Sequence, residues 1–169
     1  KPIWLTYTLA FSTVLPAVLE TSDFLSTFHF FQRKWKINLT NRKISWILFL
    51  GIITLILPFI WPKYTYGLVW ISMFLLLDPF NYLNKQESIL GQLKLGKSKL
   101  LLTLMFGTLL CGFFWEFWNY WAPAKWFYEV PFVGCWKIFE MPILGYLGYP
   151  LFGLSLYALY VFIRSLLKK

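Results

Sequence analysis

LLLTLMFGTLLCGFFWEFWNYW, residues 100–121, holds one charged side chain, Glu116. A helix needs about twenty apolar residues to cross the hydrocarbon of a bilayer, and this run has that length. Its apolar residues form a continuous block instead of the single stripe of a soluble amphipathic helix. Residues 100–121 therefore read as a transmembrane helix, and the fold depends on how many such runs accompany it.

Further runs lie at 3–24 (interrupted by Pro16), 44–60 (ISWILFLGIITLILPFI) and 64–83. A last apolar stretch, 138–167, is longer than one crossing requires and contains Pro142, Gly145, Gly148 and Pro150. Two forms fit it. One is a re-entrant half-helix over 138–149 followed by a span from 150 to 167; the other is one long, tilted and kinked helix. The fold class expected is an all-α, polytopic integral membrane helix bundle, with about five transmembrane helices in a single transmembrane domain over 1–169. No internal repeat of useful length is present, so an inverted-repeat transporter is not suggested.

Composition agrees. The 169 residues are 59% hydrophobic and 22% aromatic but only 14% charged, against about 25% charged in an average soluble domain. Mean hydropathy is +0.60, which leaves too little polar surface to cover a soluble fold. The net charge of +9 is not a nucleic-acid footprint, because the cations sit in short loops between apolar runs. Loop 31–43, loop 84–99 and the tail hold twelve of the sixteen Lys and Arg residues; Lys1, Lys63, Lys125 and Lys137 are the rest. Five spans with the N-terminus outside and the C-terminus cytoplasmic satisfy the positive-inside rule, and a bacterial inner membrane is the expected setting. Trp4, Trp61, Trp118, Trp121, Trp126 and Trp136 then gather at the outer interface. Ser88 to Leu95 is expected to lie on the membrane surface as a short amphipathic turn.

The chain begins at Lys1 without methionine, which reads as a missing or processed N-terminus. Its first apolar run is too long and too aromatic for a signal peptide. Cys111 and Cys135 stand at different depths and are read as unpaired thiols.

Four carboxylates interrupt or edge the spans: Glu20, Asp78, Glu116 and Glu140. An acid at the centre of a membrane costs about 2.5–3.5 kcal/mol on insertion scales, so each is a candidate site. Glu116, Asn119 and Tyr120 share a helix face, which Gly112 and Thr108 continue inward, allowing a second helix to approach. Glu140 returns from the same side and precedes a helix break at Pro142. The reading is an outer-side cavity with Glu116 and Glu140 as catalytic acids. Asn119, Tyr120, Trp121, Lys125 and Tyr128 are its substrate-binding residues, and Glu129 stands in its lid; Asp78, near the cytoplasmic end of its span, is a further substrate-binding candidate. The two acids would share a proton or take Lys125 or Lys137 as counter-ion. Blander readings stand beside this one. Glu116 can be an interface acid paired with a lysine. Asp78 in LLLDPFN reads most simply as a helix end, with Pro79 breaking the span and Asp78 capping the segment after it. Tyr146, Tyr149, Tyr157 and Tyr160 read as a packing stripe.

His29 is the only histidine, which excludes histidine-rich di-iron chemistry and bis-histidine haem and leaves no Ser-His elbow. Phosphate-binding and dinucleotide fingerprints are absent, as are Asp-rich magnesium motifs. No cofactor or metal is expected, and any catalysis would be carboxylic-acid chemistry on an apolar substrate. One functional reading is a membrane enzyme or binding protein for a lipid or isoprenoid. The alternative is a non-enzymatic accessory or assembly subunit of a larger membrane complex, with a membrane protein partner or homo-oligomer. The small-residue stripes at Gly107–Cys111 and Gly145–Gly153 discriminate: facing lipid they call for a partner, and buried within the chain they favour the first reading.

Overall fold

A computed structural model describes residue 8 and residues 12–128 and 136–167. Helix α1 covers Val14–Ser26 and α2 covers Asn41–Ile60. Helix α3, Pro62–Leu83, begins with an α-turn at Pro62–Thr65 and a 3-10 turn at Tyr66–Leu68 before the regular helix Val69–Leu83. A short α4 (Ile89–Lys94) leads to α5 (Lys99–Trp121). A two-residue antiparallel ladder, β1 (Lys137–Ile138) with β2 (Met141–Pro142), and a 3-10 turn at Ile143–Leu147 precede α6 (Gly148–Leu167). Four helical segments are long and apolar enough to cross a membrane: Asn41–Ile60, Pro62–Leu83, Lys99–Trp121 and Ile143–Leu167.

The long helices pack side by side in the order α2, α3, α6, α5, α1, with α6 central. Thr108 meets Gly153 and Gly112 meets Tyr149, so α5 and α6 run antiparallel. Asn81 meets Ala158 and Glu87 meets Arg164, so α3 and α6 run parallel. Loops 27–40 and 84–98 and the end of α6 therefore come together at one end, here the basic end. The loop after α5 and the β1–β2 hairpin form the opposite, aromatic end.

Side chains are sorted the reverse way from a water-soluble protein. On α5 the buried positions are Thr103, Leu104, Gly107, Thr108, Gly112, Glu116 and Asn119, a stripe at spacings of three and four made largely of small and polar residues. Its outward positions include Phe106, Leu110, Phe113, Phe114 and Trp118. Where helices meet without water, close approach of small residues and interhelical hydrogen bonds do the packing, and an outward face of aromatic rings fits helices long and apolar enough to cross a membrane. Ser22 donates to Thr103 across α1 and α5 at 2.9 Å. Ser155 Oγ donates to the Trp70 carbonyl and accepts from the Phe74 amide, which ties α6 to α3. The small-residue stripes are closed by the chain itself. A Cβ at Gly107 would meet the backbone of Ser22 at 3.2 Å, one at Gly145 would meet Met141, and one at Gly153 would meet Thr108.

Four expectations change. Of the first expected span, 3–24, residues 3–7 and 9–11 lie outside the described residues; the described part, α1, is too short to cross alone, so four candidate spans stand among the described residues where five were expected. The half-helix expected over 138–149 is a β-hairpin and a 3-10 turn, because Pro142 and the glycines after it do not sustain an α-helix. Pro79 does not end α3, which continues to Leu83; Asp78 instead accepts the amides of Ile89 at 2.7 Å and Leu90 at 2.8 Å, capping α4 across the loop. Finally, α4 does not rest on a membrane surface with its apolar face. Ile89 and Leu93 join Val18, Leu104 and Leu154 in the core, and Leu90 packs with Leu39 and Ile44.

Candidate functional site

Glu116 occupies the buried stripe of α5 near its aromatic end and is fully enclosed. Its Oε1 accepts two hydrogen bonds, from the Tyr128 hydroxyl at 2.6 Å and the Tyr149 hydroxyl at 2.5 Å. Its Oε2 is buried and has no partner among the described residues. Neither ion pair among those residues, Lys125–Glu140 and Arg164–Glu87, includes it. A buried carboxyl with one oxygen doubly satisfied and the other bare is costly unless something completes it.

Each tyrosine arrives for a local reason. Tyr149 opens α6 and lies across Gly112, where a Cβ would collide with its ring; Trp115 packs beside it, ring centres 6.0 Å apart. Tyr128 is delivered by the loop after α5. Ala122 is extended (φ −74, ψ 138), the conformation that a following proline imposes, and it ends the helix. Asn119 then grips the loop twice: its Nδ2 donates to the Trp126 carbonyl at 3.0 Å and its Oδ1 accepts the Trp126 amide at 2.9 Å. That clamp turns residues 126–128 back over the helix end. Trp126 Nε1 donates to the Tyr128 hydroxyl at 2.6 Å, leaving the phenolic proton directed at Glu116. Burial, and then the hydrogen bond to Glu116, hold the Tyr128 hydroxyl well above the usual phenol range, so it stays a donor.

Glu140 has different company. It stands in the turn of the β1–β2 hairpin beside Phe139, whose φ of +57 places it in the left-handed region. The Phe139 ring anchors that turn on Phe113, Phe117 and Tyr120, at 5.5–5.7 Å between centres. The Glu140 carboxylate pairs with Lys125 at 2.6 Å, and the Lys125 ammonium also lies over the Tyr120 ring at 4.9 Å. On α5, residues 113, 117 and 120 form the flank beside the stripe that carries Glu116. The two acids thus sit on adjacent flanks of one helix end and share no hydrogen-bond partner among the described residues.

Of the residues singled out in the sequence, Glu116, Asn119 and Tyr128 form one hydrogen-bonded unit. Lys125, Glu140 and Tyr120 form a second beside it. Trp121 is largely exposed and packs its ring on Phe117. Asp78 belongs to neither; it is buried at the basic end with both oxygens engaged by α4. Lys137 donates to the Tyr128 carbonyl and not to Glu116. Glu129 and Cys135 lie outside the described residues. Tyr149 and Trp126 are the members that sequence reasoning misses. Tyr149 is visible there only as part of a tyrosine stripe, and the signal that separates it is the glycine opposite, Gly112. Among the described residues, no three of His, Cys, Asp and Glu converge as a metal site would require. No family model matches the chain, and no curated protein or solved structure matches it significantly.

Proposed function

We propose that this chain is an integral membrane protein, C-terminus cytoplasmic, whose outer side binds or chemically transforms an apolar lipid or isoprenoid through the Glu116 carboxyl. The single observation that carries this reading is the bare Oε2 of a fully buried Glu116, whose Oε1 is held by Tyr128 and Tyr149. Two fixed phenols orient the carboxyl, and its free oxygen is the atom left to exchange a hydrogen bond or a proton with a substrate group. The aromatic side chains around it, Trp115, Trp126 and Tyr149, suit an apolar body and can stabilise a developing positive charge. The Lys125–Glu140 pair ties the neighbouring hairpin to the loop that carries Tyr128. The closure of the small-residue stripes by the chain itself supports this reading over that of an accessory subunit, which would leave them open for a partner.

Glu116→Gln keeps the shape of the side chain and removes the acid. Lipid extracts of cells producing the native chain, the Gln variant or neither provide the test. The expected result is an apolar lipid whose level follows the native chain alone, with the variant inserting and purifying normally. Identical lipid profiles for the native chain and the variant, together with a lowered melting temperature in the variant, would leave Glu116 a packing residue and end the proposal.

A further inference from the structure

We infer a second site, at the basic end, that holds the phosphate headgroup of an anionic phospholipid. An open pocket of about 860 Å3 lies there between residues 32–36 and the turn joining α4 to α5. Arg33, Lys34 and Lys36 line one wall, Lys97 and Lys99 the other, and no Asp or Glu lines it. Neither ion pair among the described residues uses any of these five cations. The positive-inside rule accounts for cations in these loops. It does not account for their convergence on one cavity from two segments.

The walls are tied together. Ser98 Oγ donates to the Arg33 carbonyl at 2.6 Å, and the Ile37 amide donates to the Leu93 carbonyl at 3.2 Å. Gly96, with φ of +79, turns the second wall, and its amide returns to the Leu93 carbonyl at 3.0 Å. With the Ser98 hydroxyl engaged on Arg33, α5 begins with no side-chain cap and no acid in its first turn. Lys99 and Leu100, from that turn, line the cavity, so the positive end of a long helix adds to the cations. The ligand is placed as a lipid by level and by lining. Lys99 opens a membrane-spanning helix, which sets the cavity at headgroup height, and exposed Leu95 gives the apolar contact that a glycerol and acyl chain need. Basic pockets between spanning helices on the cytoplasmic side suit acidic headgroups for these reasons.

The test is thermal unfolding of the full chain in neutral detergent, titrated separately with phosphatidylglycerol, phosphatidylcholine and inorganic phosphate. Phosphatidylglycerol is expected to raise the melting temperature, and the other two are not. Lys36 and Lys97 are both exposed, so Lys36→Gln with Lys97→Gln leaves the fold intact. That pair is expected to weaken the response about 25-fold, each lysine contributing a factor of about five. Lys36→Arg with Lys97→Arg is expected to retain it. Lys43→Gln with Lys85→Gln removes the same charge from the same end outside the cavity and is expected to respond as the native chain does. Equal losses in the two Gln pairs would reduce the effect to diffuse charge. An equal response to inorganic phosphate would make the ligand a soluble phosphate, and an equal response to phosphatidylcholine would remove the site; each of these overturns the inference.

Discussion

The absence of a Cβ at Gly112 decides whether Tyr149 can reach Glu116. Replacing that glycine by alanine has two opposed effects. Helix propensity favours alanine by about 1 kcal/mol, while the new methyl would collide with a ring that packs against Trp115 and Tyr146. Overpacking of this kind costs about 1–3 kcal/mol, and a swung ring also withdraws one of the two donors from Glu116. Gly112→Ala is therefore expected to lower the melting temperature and to remove function as Glu116→Gln does. Tyr149→Phe should remove function with a smaller stability loss, because the ring stays and only the hydroxyl goes. A Gly112→Ala variant more stable than the native chain would show that Tyr149 is not seated as described.

At the scale of elements, the spans are legible in the sequence because length and apolarity are local properties: α2, α3, α5 and the start of α6 fall within a few residues of the runs at 44–60, 64–83, 100–121 and 150–167. What sequence order hides is which distant group satisfies a local defect. Pro79 looks like a helix end, yet α3 passes through it. Asp78 looks like a cap for its own neighbours, yet it caps α4 through a loop that folds back. The same limit applies to Glu116: its burial stripe is readable from Thr108, Gly112 and Asn119, but its tyrosine donors come from a loop and another helix. Asp78→Ala would strand two buried amides, at about 1–3 kcal/mol each. It would also release Ile89, Leu90 and Leu93 from the core. Asp78→Asn keeps one acceptor oxygen and should lose about half as much. Chemical unfolding of the two variants tests the order, and a native-like Asp78→Ala would contradict the capping role.

Over the whole molecule, helix directions and charge placement make one joint statement. α1, α3 and α6 run toward the basic end, while α2 and α5 run away from it; Ser22–Thr103 joins α1 to α5, Gly112–Tyr149 joins α5 to α6, Asn81–Ala158 joins α6 to α3, and Gly51–Leu76 joins α3 to α2. Loops 31–43 and 84–99 therefore lie at one end whatever the membrane does, tied by the Ser98–Arg33 and Ile37–Leu93 hydrogen bonds. The opposite end exposes Trp61, Trp118, Trp121, Trp126 and Trp136, indole rings of the kind that settle at a membrane interface. Because the two loops are joined, they must share a compartment, and the orientation proposed above makes that compartment, with its nine Lys and Arg residues, the cytoplasmic one. Single cysteines placed in a background lacking Cys111 and Cys135 test this with a membrane-impermeant thiol reagent on intact cells. Lys63→Cys and Pro123→Cys are expected to react, and Lys36→Cys and Lys97→Cys to react only after the cells are opened. Labelling of one basic loop but not the other would break the fold itself, whereas labelling of both from outside would invert the orientation and carry the Glu116 site to the cytoplasmic side.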